Sequence, residues 1–259
     1  MKYAALSDKG LVRPNNEDAF LTTAAAIGVA DGMGGHVGGE LASQIALEEA
    51  SKAITLMERR PKSTLAKIFA NANSAVLRMA RESQQTGMGT TLTIAILKKQ
   101  RIWIGHIGDS RAYLLRGGNL EQLTEDHSLV GDLVRSGQLS QDEARTHPKR
   151  HVITKAVGTQ KLIQPDIFSL SFEEGDRLII CTDGLTNHVE PDSLRKLAVG
   201  GSPEFACQRL VEAAKERGGS DNITVVIGDI NVERESKPNG SSTVRRSVLS
   251  RLFGKNGVN

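Results

Sequence analysis

The sequence predicts an α+β protein built on antiparallel sheets, and three observations carry that reading. Strand-like runs follow one another with only turn residues between them. Residues 90–97 and 101–107 are separated by Lys98-Lys99-Gln100, and residues 111–116 and 120–123 by Gly117-Gly118-Asn119. Connections this short make hairpins, whereas parallel strands need a crossover of a dozen or more residues. Helical periodicity is confined to blocks lying between the strand groups, the pattern of helices that cover a sheet. Finally, four apolar runs each carry an aspartate at one end: Asp31 after Ile27-Gly28-Val29-Ala30, Asp109 after Ile107-Gly108, Asp183 after Ile180-Cys181-Thr182, and Asp221 just before Ile223–Ile227.

Taken in order, residues 3–12 can pair as a first strand. Arg13-Pro14-Asn15-Asn16-Glu17-Asp18 is a polar turn. Residues 20–30 supply one or two strands leading to Asp31, and Gly32, Gly34 and Gly35 then allow a tight turn and a close backbone approach. Leu41, Ile45, Ala46, Ala53, Ile54 and Met57 fall at helical spacing over 40–59, closed by Arg59-Arg60-Pro61. Ser63 or Thr64 can cap a second helix, with Leu65, Ile68, Phe69, Ala72, Val76 and Met79 on one side. Residues 125–151 turn polar and helix-prone, with a capping box at Ser140 and Glu143 and breaks at Gly137 and Pro148. They read as a surface helical insertion placed to rim a site. Residues 176–182 return to strand, Ser202-Pro203 opens a helix that Gly218-Gly219 closes, and 223–230 is the last strand.

The 259 residues are 39% hydrophobic and 24% charged, an ordinary globular composition, and only 3% aromatic, so the core must be aliphatic. The formal charge of +3 is uneven. Residues 231–259 hold six Lys/Arg and two Glu, leaving the first 230 residues close to neutral, so the body is not a nucleic-acid surface. That terminal stretch reads as a flexible basic tail, with Val244, Val248, Leu249, Leu252 and Phe253 spaced to contact a partner or an anionic membrane surface. Cys181 and Cys207 form no disulfide framework or zinc motif. No run approaches the roughly 18 apolar residues of a membrane span and no signal peptide is evident, so a cytoplasmic location and a monomer are expected.

Four aspartates at four strand ends can converge on one edge, and converging carboxylates repel unless cations lie between them. The candidate ligands are Glu17, Asp31, Asp109, Asp183 and Asp221, all hard oxygen donors that favour Mg²⁺ or Mn²⁺. Two such ions can activate a water against a phosphate, and Arg13 can clamp the remaining phosphate oxygens. The pattern is that of a phosphate-ester hydrolase. There is no Gly-x-x-x-x-Gly-Lys-Ser/Thr loop for a nucleotide-driven transferase.

Read together, Arg13-Pro14-Asn15-Asn16-Glu17-Asp18, Val29-Ala30-Asp31-Gly32-Met33-Gly34-Gly35, Gly89-Thr90-Thr91, Gly108-Asp109-Ser110-Arg111, Asp126-His127-Ser128, Cys181-Thr182-Asp183-Gly184-Leu185 and Asp221-Asn222-Ile223-Thr224 resemble the type 2C metal-dependent Ser/Thr protein phosphatases in their bacterial form. The resemblance runs from about residue 3 to residue 230. It implies a four-layer α-β-β-α sandwich, two packed antiparallel sheets flanked by helices, forming a catalytic domain over 1–230 with 125–151 as the flap and 231–259 as the tail. It implies that Asp31 bridges two metal ions. Asp183 and Asp221 hold one of them, and Glu17 and the Gly32 carbonyl hold the other. Asp109 with Asp183 matches a third site, and Arg13 matches the phosphate-binding arginine. The partners implied are phosphorylated proteins and a cognate Ser/Thr kinase.

The sequence departs from this pattern in two places. Met33 stands where some relatives have a histidine proposed as the acid, with His36 three residues on, so water on a metal ion is the expected proton donor. Lys155 stands where relatives often have arginine. His106 reads as a satisfied core residue, His127 as a residue that orders the flap, and His147, His151 and His188 as surface residues. Two other readings stand beside the phosphatase: a metal-stabilised scaffold that binds partners without catalysis, and an enzyme for small phosphate esters.

Overall fold

A computed structural model describes residues 1–34, 37–57 and 60–230. The expectations for His36 and for the basic tail lie outside the described residues. In chain order the elements are β1 (Lys2–Asp8), β2 (Asp18–Thr22), β3 (Ala26–Met33), α1 (Gly38–Thr55), α2 (Pro61–Glu82), β4 (Gly89–Thr90), β5 (Leu92–Lys98) and β6 (Arg101–Ile107). There follow β7 (Arg111–Arg116), β8 (Asn119–Gln122), α3 (Leu129–Arg135), α4 (Gln141–Thr146) and β9 (Asp166–Ser171). The last are β10 (Arg177–Cys181), α5 (Asp183–Thr186), α6 (Pro191–Ala198), α7 (Pro203–Glu216) and β11 (Ile223–Asp229).

The strands form two sheets, β1-β11-β10-β7-β8 and β2-β3-β5-β6-β9, with β4 paired to β3. Every strand pair is antiparallel. Side-chain alternation sorts each central strand into two cores. Ile179 and Cys181 of β10 pack with Leu210 and Ala214 of α7, whereas Leu178 and Ile180 pack between the sheets with Val29 of β3 and Ile104 of β6. On the far side, Ile94 and Ile96 of β5 meet Leu65, Ile68 and Phe69 of α2 and Ala46 of α1. Both faces of both sheets are therefore buried, giving the four layers helix, sheet, sheet, helix. Gly105 makes room for the helix layer, because a Cβ there would lie 2.5 Å from Phe69 Cε2.

Several local expectations change. The first strand stops at Asp8, because Gly10, at φ +76°, turns the chain against the Asp221 carbonyl. The second helix begins at Pro61, and Ser63 and Thr64 donate their hydroxyls to the Arg60 carbonyl inside the first turn instead of capping it. The strand bearing Asp31 does not end there: β3 continues to Met33 and pairs with β4. The run 90–97 is split at Thr91, whose N–H bonds the Asp31 carbonyl at 2.9 Å. The capping box at Ser140 and Glu143 is present, as is the Ser202-capped helix. The sequence reading contains no β9, α5 or α6.

Register places the four aspartates at one end. Asp18 lies opposite Asp31, Leu92 opposite Ile107, Cys181 opposite Arg111 and Asp8 opposite Ile223. The end of β3, the β6–β7 turn, the end of β10 and the start of β11 therefore share one edge of the sandwich.

Phe69 is 1% exposed and anchors α2 to the sheet. Phe69→Ala should cost about 3–5 kcal/mol in urea unfolding, whereas Leu162→Ala, at a residue 87% exposed, should stay within about 0.5 kcal/mol. Equal effects at the two positions would show that the α2 face does not form the core.

Candidate active site

The seven residues singled out in the sequence, Arg13, Glu17, Asp31, Gly32, Asp109, Asp183 and Asp221, line one cavity of about 690 Å³ at that edge. Asp31, Gly32 and Glu17 are held by contacts reaching across the fold. The Asp31 N–H donates to Thr91 Oγ1 at 2.9 Å, and the Thr90 hydroxyl donates to the Asp31 carbonyl at 2.9 Å. The Glu17 N–H donates to Asn222 Oδ1 at 2.8 Å, while the Glu17 carbonyl accepts from Gly32 N–H at 3.1 Å and from the Ser43 hydroxyl at 2.7 Å. Gly32 faces the first turn of α1 so closely that a Cβ would lie 2.0 Å from the Gly39 carbonyl. Gly39 in turn lies under Glu17, where a Cβ would fall 2.6 Å from Oε2. These glycines are required by close approach of backbone. Asp183 opens α5 and accepts from Asn187 Nδ2 at 3.0 Å. Asp221 accepts from Arg13 Nη2 at 2.8 Å and from Asn222 N–H at 2.9 Å.

The electrostatics follow from crowding like charges in a poorly hydrated place. Burial, and then the charges of Asp18, Asp183, Asp109 and Asp221, holds the Asp31 carboxyl well above the usual carboxylate range. Burial, followed by Asp183 and Asp126, does the same to Asp109. Burial pushes Asp18 up to about 7, with hydrogen bonds from Thr224 and Thr182 pulling the other way. Asp109 Oδ1 and Asp18 Oδ1 are buried with no hydrogen-bond partner among the described residues. Among those residues Arg13 is the one permanently charged cation lining the cavity. An all-oxygen donor set with net negative charge and orphaned buried oxygens fits Mg²⁺ or Mn²⁺. No three ligating side chains are already drawn into a closed group among the described residues.

Three residues with no role assigned from sequence belong to the site. Asp18 sits beside Asp31 and accepts from the Thr182 hydroxyl at 2.9 Å. Asn222 ties the Arg13 loop down, its Nδ2 donating to the Lys9 and Asn15 carbonyls at 2.9 and 2.8 Å. Both stand inside the motif segments, and their position next to a candidate ligand was the available signal. His151 is exposed, as expected of a surface residue, and it also lines the cavity, with Nδ1 4.0 Å from Asp183 Oδ2. Met33 also lines the cavity. His106 is a core residue as expected, fully buried between the Thr93 hydroxyl and the Glu125 carbonyl, and burial pushes it down to about 4.

A carboxyl whose pKa is raised by folding binds a proton more tightly when folded. Its stabilising effect is therefore lost as pH rises from the unfolded value, 3.8, towards the folded one, about 7 for Asp18. The carboxyls with lowered pKa, such as Asp8 and Asp176, act below that window. In EDTA the Tm should fall as pH is raised from about 4 to about 7, and Mn²⁺ should raise the Tm more at the upper end. Buried His106, held down to about 4, pulls the other way over the same window, so the deciding comparison is with Asp18→Asn: the substitution should lessen the fall, and an unchanged slope would contradict the crowding of carboxylates.

Comparison with known proteins gives a consistent result. A family profile described as protein phosphatase 2C matches residues 13–223, more than half of the chain. Serine/threonine protein phosphatase PstP of Mycobacterium tuberculosis is 41% identical over 236 residues, covering 89% of this chain and 45% of the relative. The chain thus spans about half the length of that relative. Protein phosphatase PhpP of Streptococcus pneumoniae is 37% identical over 244 residues, covering 90% of this chain and 99% of the relative. The crystal structure of the PstP catalytic domain, in complex with two manganese ions, superposes with a TM-score of 0.83 at 36% identity, covering 89% of this chain and 98% of that one. The two sheets and the helical layers are thus those of a known fold, and the chain belongs to the protein phosphatase 2C family.

Proposed function

We propose that this protein hydrolyses phosphoserine and phosphothreonine in proteins, opposing a Ser/Thr kinase in cytoplasmic signalling. The observation that carries this reading is the meeting of five carboxylates and Arg13 in one cavity. Relatives across nearly the whole chain are named protein phosphatases. Glu17, Asp31, the Gly32 carbonyl, Asp183 and Asp221 would hold two Mn²⁺ or Mg²⁺ ions, and Asp109 with Asp183 a third. Bound ions supply the Lewis acidity that makes water a nucleophile near neutral pH and offsets charge on the phosphate.

The remaining work falls to this chain's own side chains. Arg13 is half exposed at the mouth of the cavity, with its guanidinium beside Asp221. Its planar fork suits two phosphate oxygens, which orients the ester with its leaving oxygen outward. Asn222 keeps the Arg13 loop at a fixed distance from Asp221 and Glu17 through three side-chain hydrogen bonds. Met33 has no proton to give, so the proton for the departing oxygen comes from another group in the cavity, and water is the donor we favour.

Hydrolysis of a phosphothreonine peptide should require Mn²⁺ or Mg²⁺ and stop in EDTA, and Asp183→Asn should lower kcat/KM about a hundredfold or more. A folded wild-type protein inactive with either metal would favour the scaffold reading. Faster turnover of small phosphate esters than of phosphopeptides would favour the metabolite enzyme. Arg13→Ala should raise KM for the phosphopeptide about tenfold while changing kcat less. An unchanged KM would remove Arg13 from phosphate binding.

A further inference from the structure

His127 has a set of contacts that ordering a surface flap does not require. It is 3% exposed. Its N–H donates to the Gly108 carbonyl at 2.8 Å, and its Nδ1 accepts the Gly108 N–H at 3.2 Å. Gly108 is thus gripped on both sides, one residue before Asp109. An acceptor role at Nδ1 places the proton on Nε2 in the neutral ring, and Nε2 lies 3.2 Å from Asp166 Oδ2 at the start of β9. The His127 carbonyl accepts from Thr154 N–H at 2.8 Å, joining the two ends of the helical insertion. On its face the ring stacks on His106, with centroids 5.0 Å apart. His106 ties Thr93 of β5 to the Glu125 carbonyl.

The turn so gripped has no freedom to be anything else. Gly108 holds φ +111°, and a Cβ there would lie 2.5 Å from Thr91 Cγ2. Thr91 is the residue whose hydroxyl receives the Asp31 N–H and lies 2.8 Å from Ser110 Oγ. Asp109, between Gly108 and Ser110, is 6% exposed and presents a buried Oδ1 with no hydrogen-bond partner among the described residues. The Asp109 carboxylate takes a hydrogen bond from its own backbone N–H, so the main chain on either side aims it. On the His127 side the support is one imidazole that also closes the insertion.

We infer that His127 is a positioning residue: through Nδ1 it fixes the Gly108–Asp109 turn, and so aims the Asp109 carboxylate into the cleft. In the same contact set, the His127–Thr154 bond that draws together the ends of the 125–151 insertion is coupled to the geometry of that carboxylate. The inference rests on the metal-dependent phosphatase reading for its catalytic consequence, but not for its structural one.

Two substitutions divide the ring's roles. Asn places an oxygen acceptor near the position of Nδ1, and Gln places an amide donor near that of Nε2. In His127→Gln, the Gly108 amide should exchange with solvent about tenfold faster by NMR, and kcat should fall about tenfold with KM within about twofold. His127→Asn should keep both within about threefold of wild type while losing the Asp166 contact. In an Asp109→Ala background, His127→Gln should cost less than about twofold further, since coupled residues are not additive. Mn²⁺ titration of the same proteins should show weakened binding in His127→Gln but not in His127→Asn. Equal loss in the Asn and Gln variants, or a full additional loss on top of Asp109→Ala, would overturn the inference. If the wild-type protein binds Mn²⁺ yet hydrolyses no phosphopeptide, the phosphatase reading fails, and the exchange rates and Mn²⁺ titration still decide the role of His127.

Discussion

The structure is organised by a repulsion. Glu17, Asp18, Asp31, Asp109, Asp183 and Asp221 meet at one edge, where burial raises the carboxyls of Asp18, Asp31 and Asp109. A fold assembles such a group only if the frame beneath it is bound more strongly than the charges push apart. Here the frame is two sheets with both faces buried. Their ends are pinned by Thr90, Thr91, Thr182 and Asn222, none of which is more than 6% exposed. Relief of the repulsion is left to cations. Stability and chemistry thus draw on the same ions, so metal binding and folding are linked at this edge.

The backbone contacts explain why the motifs contain so many small and hydroxylated residues. Thr90 and Thr91 serve Asp31; Ser110 and Thr93 serve the turn at Asp109; Asn222 serves Glu17 and the Arg13 loop. These residues hold main chain, and the main chain holds the carboxylates. Arg13 takes one of its partners from the far end of the sequence, Asp221. The arginine proposed to bind phosphate and a candidate metal ligand therefore share a contact, so changes at one are felt at the other.

Much of this was legible in the sequence, for a physical reason. Central strands buried on both faces read as apolar runs, and the acidic residues stand at their ends. The amphipathic helices α1, α2 and α7 are long enough for their period to show. The elements missed are those whose local signal is weak. β9, Asp-Ile-Phe-Ser-Leu-Ser, is half-buried with polar residues at every second or third place. α5 has four residues and α6 eight, too short to establish a period. His151 is on the surface as read, and its place at the cavity is set by tertiary structure, which no local pattern reveals. The strand break at Thr91 was invisible because it is made by a contact with Asp31, 60 residues away.

The sheet order has a temporal meaning as well. Among the described residues β1 has one strand neighbour, β11, so Lys2 must wait for Asp229 before its ladder can form. Loop closure over that span is entropically costly and comes late. During synthesis from the N-terminus, the sheet bearing Asp183 and Asp221 cannot close until almost all of residues 1–230 have left the ribosome. Arg13 and Glu17 are made early, but they acquire their partners Asp221 and Asn222 last. A nascent chain is therefore without a working centre, and activity switches on with completion of the fold rather than growing as the chain lengthens.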